Sequence, residues 1–505
     1  MMGKGYKRLA QTIIISGLSV VIGYLINFFI TPYITDNIGI DAYGFVSIAN
    51  TTVTYATIIT TALTAFVVRY ISIAYHEGRK KDANKYFSSS LMACVILSVS
   101  IFAVMALVTL KLELFLNIPD RLVHSVKVLF ILVYINFIIT TVTTPYGAAA
   151  YIKNRLDITG MAKVIGHLCD AGVLLILFSL FKPEVWFVTI GKITTAVVLL
   201  LISKIVTVKL TPELKFKKED VSFSIIKEMM GNGIWNSLNT LGNTLNSGLD
   251  LIIANLMLSG VATGQISVAK TIESMFTMLY QVVFQPFQPR LLKAYASGNK
   301  EVLRKELQNS MKICGLFSNI AFAGFFSLGA LYFKLWLPSQ DYVLLNSLTL
   351  ATVAGSITAG VIQPVYYVNT LTVKTKIPCF LTIASGLLNI GSMYLLLKYT
   401  NLGAYAVVLT TVVIMTAINL TFNPIYSAKC LNESPVIFYS VIIRHLISAA
   451  VMSGAFLAIE RLLQPTTWMG LIGNVAVMVP FGVIIHVIIM YPKEKIKQLV
   501  TRKSK

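Results

Sequence analysis

The chain has 505 residues, of which 56% are hydrophobic and only 12% charged, with a mean hydropathy of +0.76. A soluble globular chain carries roughly 25% charged residues, so this one has too few to coat a water-facing surface of its size, and no soluble catalytic domain is expected. The formal charge of +21 would point to a nucleic-acid partner only if it were gathered into a folded basic domain; it is spread over short loops and the tail, which excludes that class.

Apolar runs long enough to cross about 30 Å of hydrocarbon, roughly 20 residues each, recur from end to end. They predict an all-α polytopic membrane protein with about fourteen transmembrane helices. The first six lie over 11–32, 43–68, 87–110, 125–148, 161–181 and 185–207; the next six over 232–256, 262–285, 310–332, 343–367, 379–397 and 402–426; the last two over 437–460 and 467–490. The first run lacks a small-residue cleavage site and reads as helix one rather than as a removable signal.

Basic residues concentrate in the loops after the even-numbered spans: Arg79, Lys80 and Lys81; Lys153 and Arg155; Lys215, Lys217 and Lys218; Arg290, Lys293, Lys300, Arg304 and Lys305; Lys374 and Lys376. The tail adds Lys493, Lys495 and Lys497, whereas the opposite loops carry mainly Lys111, Arg121, Lys182, Lys334, Lys398 and Arg461. The positive-inside bias therefore puts both termini in the cytoplasm, and the basic charge reports topology. Cys94, Cys169, Cys314, Cys379 and Cys430 show no metal-like spacing and read as small apolar fillers.

The longest polar stretch, at about 208–231, divides the chain near its middle. A shift of 220 residues places Gly44, Ser47, Ala49, Thr51 and Thr57 on Gly264, Ser267, Ala269, Thr271 and Thr277. The same shift places Ala74, Tyr75, Gly78 and Lys80 on Ala294, Tyr295, Gly298 and Lys300. The expected organisation is an N-lobe over 1–208, a cytoplasmic linker over 209–231, a C-lobe over 232–427, and two appended helices with a basic cytoplasmic tail over 428–505. Six spans per repeat preserve orientation, so the repeat is parallel, with a pseudo-two-fold axis along the membrane normal; secondary transporters built this way bind substrate between the repeats. Pro145 in span four and Pro364 in span ten interrupt helices at nearly corresponding positions, either as hinges or as static kinks.

Lipid offers no partner to amide or charged side chains, which therefore turn to the bundle interior or a water-filled cavity. Span seven carries Asn236, Asn239, Asn243, Asn246 and Asp250, spaced three or four apart, which is one face of a helix. Span eight carries Lys270, Glu273, Thr277, Gln281 and Gln285, and span two carries Asn50, Thr54, Thr57, Thr61 and Thr64. Helix-to-helix hydrogen bonding is the plainer explanation for a threonine stripe; five amide or carboxylate positions in succession favour a hydrated cavity.

The ionisable residues within the spans are Asp170, Lys192, Asp250, Lys270 and Glu273, with His167, Arg444 and His445 near them. Lys270 and Glu273 are one turn apart and would neutralise each other, unless the lysine contacts an anionic substrate and the carboxylates hold H⁺ or Na⁺. The candidate substrate-binding residues are Lys270, Glu273, Asn239, Asn243, Asn246, Asn50 and Gln281; the ion-coupling candidates are Asp250, Asp170 and Glu273. No P-loop, nucleophile–histidine pair or paired carboxylates mark an enzyme, and no cofactor is implied beyond a Na⁺ or H⁺ gradient.

The stretch from Thr31 to Tyr75, with Gly39, Tyr43, Gly44 and Arg69, resembles the first two spans of the polysaccharide flippases. The stretch from Leu249 to Leu292, with Asp250, Gly264, Lys270 and Pro289, resembles the corresponding part of their second half. The resemblance, to a superfamily that also holds multidrug and toxin extrusion transporters and lipid II flippases, implies two six-helix lobes around a central cavity. It further implies movement of undecaprenyl-diphosphate-linked oligosaccharides from the cytoplasmic to the outer leaflet of a bacterial inner membrane, for a surface polysaccharide such as O-antigen. Lys270 would then take the diphosphate, Arg69 would stand at a cytoplasmic gate, and a polymerase and glycosyltransferases would be partners. A cation-coupled multidrug exporter of the same superfamily is the alternative, disfavoured by Lys270 and Lys192. A membrane polymerase or ligase acting on the same lipid-linked sugars is disfavoured by the short outer loops.

Overall fold

The computed structural model describes residues 2–491, and within them the backbone alone for 2–14, 16, 232 and 247; Lys493, Lys495 and Lys497 of the basic tail lie outside the described residues. The described residues form helices and no strand. In chain order the first half contains α1 (Met2–Asn37), α2 (Ile40–His76), α3 (Lys80–Leu110), α4 (Val123–Thr143), α5 (Gly147–Ile152), α6 (Leu156–Leu180) and α7 (Phe187–Leu210). The second half contains α8 (Phe223–Ser247), α9 (Asp250–Met257), α10 (Gly260–Phe284), α11 (Gln288–Ala296), α12 (Lys300–Trp336), α13 (Tyr342–Leu371), α14 (Lys376–Tyr399), α15 (Ala404–Leu420) and α16 (Phe422–Leu431). α17 (Val436–Leu463) and α18 (Trp468–Met490) follow.

Twelve stretches of the described residues are long and apolar enough to cross a membrane, so the chain is a multi-pass membrane protein. α8 and α10 are not among the twelve, because they carry the densest amide and carboxylate stripes. With these two included, the helices follow the fourteen expected spans in order.

The 220-residue repeat is present in the structure itself. α1 and α9 end at Asn37 and Met257, α2 and α10 begin at Ile40 and Gly260, α3 and α12 at Lys80 and Lys300, and α6 and α14 at Leu156 and Lys376. The turn after α2 uses Gly78 at φ +78° and the turn after α11 uses Gly298 at φ +68°, a left-handed conformation that glycine adopts without a Cβ penalty. Buried side chains follow the same phase. Ile71, Ala74, Phe87, Leu91 and Cys94 in one core recur as Leu291, Ala294, Leu307, Met311 and Cys314 in the other.

Internal packing divides the chain into two compact units, 1–264 and 265–505. In the first unit α6 packs on α1 and α7, and α2 is flanked by α3, α4, α5 and α8. Placement of α8 here follows from small residues: a Cβ at Gly233 would lie 1.8 Å from the Ala62 carbonyl oxygen, and Ser237 Oγ donates to the Ile58 carbonyl at 2.6 Å. The N-terminal turn of α10 also packs there, with Gly44 against Gly264; a Cβ on Gly264 would fall 2.0 Å from the Ile40 carbonyl oxygen.

α7 runs to Leu210 and α8 begins at Phe223, so the linker between them is short, and α3 holds it. Lys215 N–H donates to Asn84 Oδ1 (2.7 Å), Lys217 N–H to Ser88 Oγ (3.1 Å) and Ser222 N–H to Ser89 Oγ (2.9 Å). Asn84 Nδ2 donates to Asp220 Oδ2 at 2.6 Å, and Lys80 pairs with Glu213.

In the second unit α12 packs on α13, α17 and α18, and α13 on α15 and α16. Buried histidines join the appended helices to this core through main-chain carbonyls. His445 Nε2 meets Ile357 O at 2.8 Å and His486 Nε2 meets Lys312 O at 2.9 Å, while His486 Nδ1 lies 3.1 Å from Ser448 Oγ. These bonds engage both nitrogens of the His486 ring and the Nε2 of His445, whose buried Nδ1 makes no hydrogen bond. The two prolines differ from the expectation that both interrupt helices. Pro145 falls in the break between α4 and α5, whereas Pro364 sits inside continuous α13, where the neighbouring helix bonds tolerate one missing donor.

Candidate functional site

On α8 the five-residue stripe divides. Asn236, Asn239 and Asn243 are exposed, while Asn246 and Asp250 are 4% and 1% exposed. The exposed amides lie roughly a third of a turn from the Gly233–Ser237–Thr244 face that packs on α2, as 100° per residue requires. Asn246 Nδ2 donates to the Gly242 carbonyl at 2.9 Å within its own helix. Asp250 opens α9 and lies within electrostatic reach of the Tyr55 hydroxyl on α2.

In the second unit α10 shows the same polarity. Ile272, Phe276 and Tyr280 are buried; Phe276 packs on Phe325 of α12 with ring centroids 6.2 Å apart, and Phe284 on Tyr367 of α13 at 5.7 Å. The other face carries Lys270 and Glu273, both half-buried, and Thr277 and Gln281, both exposed, with exposed Gln285 just past the helix end. Lys270 and Glu273 each have polar or electrostatic contacts. In both units, then, a membrane helix puts its apolar or small face on its neighbours and turns amides and carboxamides outward. Facing hydrocarbon, each such group would go without a partner; facing water, it is satisfied.

The threonine stripe of α2 bonds within the helix. Thr54, Thr57, Thr61 and Thr64 donate to the carbonyls of Asn50, Thr54, Thr57 and Thr60 at 2.6–3.2 Å, the local back-bonding open to any helical threonine. Asn50 differs, because its Oδ1 accepts from Lys192 Nζ of α7 at 3.3 Å. Lys192 is in turn within electrostatic reach of Asp170 of α6. Asp170 is 6% exposed and packs against Gly191, where a Cβ would meet Asp170 Oδ1 at 1.9 Å.

Asn50, Asp170 and Lys192 thus form one cluster across three helices of the first unit. Spacing could not reveal it, since Lys192 and Asn50 are 142 residues apart. Asn50 stands at the repeat position of Lys270, 220 residues later. Both units therefore present an ammonium at this repeat position, supplied by Lys270 itself in one and delivered by Lys192 in the other. Arg69 is exposed near the basic end of α2, and Arg444 is exposed on α17. Among the described residues no group of three or more His, Cys, Asp or Glu side chains is placed to hold a metal ion.

Comparison with known proteins agrees with this architecture. The family model described as polysaccharide biosynthesis protein matches residues 9–294. The membrane protein EpsK of Bacillus subtilis (strain 168) is 26% identical over 483 residues, covering 96% of this chain and 95% of that protein. Among solved structures, the lipid II flippase MurJ in an inward closed conformation superposes with a TM-score of 0.67 at 14% identity, over 94% of this chain and 98% of that one. An inward-facing multidrug resistance MATE family transporter of the MOP superfamily superposes with a TM-score of 0.66 at 15% identity, over 83% and 99%. At identities this low, the two superpositions show a shared fold and nothing finer.

Proposed function

The chain belongs to the polysaccharide biosynthesis protein family, and from that premise we propose that it flips undecaprenyl-diphosphate-linked oligosaccharide units from the cytoplasmic to the outer leaflet of a bacterial membrane by alternating access. The outward-turned polar faces of α8 and α10, on helices too polar to be satisfied by lipid, carry this reading. A glycan would hydrogen-bond to Asn236, Asn239, Asn243 and Gln281, its diphosphate would contact Lys270, and its polyprenyl tail would stay in the bilayer.

The reading includes the parallel arrangement of N-lobe and C-lobe around a cavity and an orientation with both termini in the cytoplasm. Asp250, buried beside Tyr55, is the leading position for a coupling H⁺ or Na⁺. Asp170, already facing Lys192, serves to hold that lysine on Asn50. Glycosyltransferases and a polymerase would act before and after the transport step, and the chain itself performs no covalent chemistry.

The test is surface glycan export by a strain carrying Lys270→Ala. Export is expected to stop while the protein still inserts in the membrane; normal export would remove Lys270 from the role. The fold shared with a multidrug resistance transporter favours a second reading, a cation-coupled drug exporter. Raised drug susceptibility on deletion, with surface glycan intact, would establish that reading in place of the first.

A further inference from the structure

We propose that a recess near the basic end of α2, distinct from the position assigned to Lys270, binds the phosphate group of a lipid headgroup. The recess has a volume of about 680 Å³ and is lined in part by Arg69, Ser72 and His76 of α2, by Glu77 just after it and by Tyr151 of α5.

Two groups in it are left unused by the fold. The Arg69 guanidinium sits 5.9 Å from the centre of the Phe66 ring, and among the described residues no carboxylate pairs with it. The carboxylate nearest in sequence, Glu77, is taken by Arg79. The second group is Ser72, which is 4% exposed and whose Oγ has no hydrogen-bond partner. Six threonines of the same helix (Thr52, Thr54, Thr57, Thr60, Thr61 and Thr64) all donate to carbonyls three or four residues back. Ser72 forgoes that bond at the wall of the recess, and an unmade buried hydrogen bond is costly unless a ligand supplies the acceptor.

A guanidinium and a hydroxyl donor one turn apart suit phosphate oxygens. Lys153, 5.1 Å from the Tyr75 ring centre, adds positive charge near the same end of α2, where Lys80 is already paired with Glu213. The second unit holds a recess of about 700 Å³ at the matching end of α11, lined by Arg290, Lys293, Ser297, Asn299 and Glu306 among others. Its hydroxyl and amide oxygen are already engaged: Asn299 Oδ1 accepts from Glu301 and Val302 N–H, and Ser297 Oγ donates to Ala294 O, so it offers cations without an unpartnered hydroxyl. It serves as an internal control.

The experiment is calorimetric titration of the purified full chain, carrying Lys270→Ala, with inorganic diphosphate, so that loss of the proposed transport contact does not enter the measurement. Arg69→Ala should weaken binding roughly tenfold or more, Ser72→Ala roughly fivefold, and Arg69→Lys less than Arg69→Ala, while Arg290→Ala, in a recess without an unpartnered hydroxyl, should weaken it less than Arg69→Ala. Equal affinity in the Arg69→Ala protein, an equal loss in the Arg290→Ala protein, or no diphosphate binding at all would each overturn the proposal. Competition then identifies the source. Displacement by phosphatidylglycerol vesicles, but not phosphatidylcholine vesicles, assigns the site to an anionic phospholipid. Displacement by undecaprenyl diphosphate alone assigns it to the transported carrier, and displacement by neither overturns the headgroup assignment.

Discussion

The two repeats share their helix boundaries but not the packing of their first helices. α1 packs mainly on α6 of its own repeat, whereas α8, at the same place 220 residues on, packs on α2. The two contacts differ in how closely the backbones approach. α1 meets α6 at Gly23, where a Cβ would lie 3.4 Å from the His167 ring, and at Tyr33, whose hydroxyl donates to the Phe178 carbonyl at 3.1 Å. Ile22, Leu25, Ile26 and Phe29 line an open apolar groove of about 430 Å³. α8 meets α2 through Gly233 and Ser237, close enough that main-chain carbonyls touch the partner helix. Boundaries are set by turn chemistry, such as Gly78 and Gly298, and turn chemistry survives duplication. The closeness of the helix contact, in contrast, has diverged.

The strongest way to break this comparison is to make α8 resemble α1 by adding bulk. Gly233→Val should unseat α8 from α2, with a loss of about 3 kcal/mol or more from overpacking against the main chain, measured as a fall in thermal stability and in folded yield. An unchanged melting temperature would show that α8 is not held by this contact. A second comparison concerns the ammonium at position 50/270. Lys192→Ala should reduce glycan export, and adding Asn50→Lys, which copies the second repeat into the first, should restore much of it. Failure of restoration would mean that Lys192 acts elsewhere.

A smaller effect is expected at the appended helices. His486→Phe leaves the Ser448 hydroxyl without its ring partner and removes the bond to the Lys312 carbonyl, which should cost about 1–3 kcal/mol, read as a lowered melting temperature. The smallest effect concerns the linker. The hydrogen bond from Lys80 holds the Glu213 carboxyl below the usual carboxylate range. The contact is therefore present above the unfolded value of about 4.3 and lost as pH falls through the lower folded value. The difference in melting temperature between the native chain and Glu213→Gln should be constant from pH 8 to 5 and vanish only at more acidic pH. A difference that faded between pH 7 and 5 would contradict this contact.

The sequence by itself determined the membrane class, the order of the spans and the 220-residue phase, because hydropathy and turn residues act locally along the chain. It also marked the polar faces of α8 and α10, since a 3.6-residue period is readable without neighbours. Tertiary structure alone decided which of those residues are engaged. It buried Asn246 and Asp250 while leaving Asn239 and Asn243 exposed, satisfied the α2 threonines within their own helix, and brought Lys192 to Asn50. It also left Ser72 without the back-bond its neighbours make. Each of these depends on which helix lies alongside, and helix partners in a membrane are chosen by close packing and polar contact, which no single helix's sequence encodes.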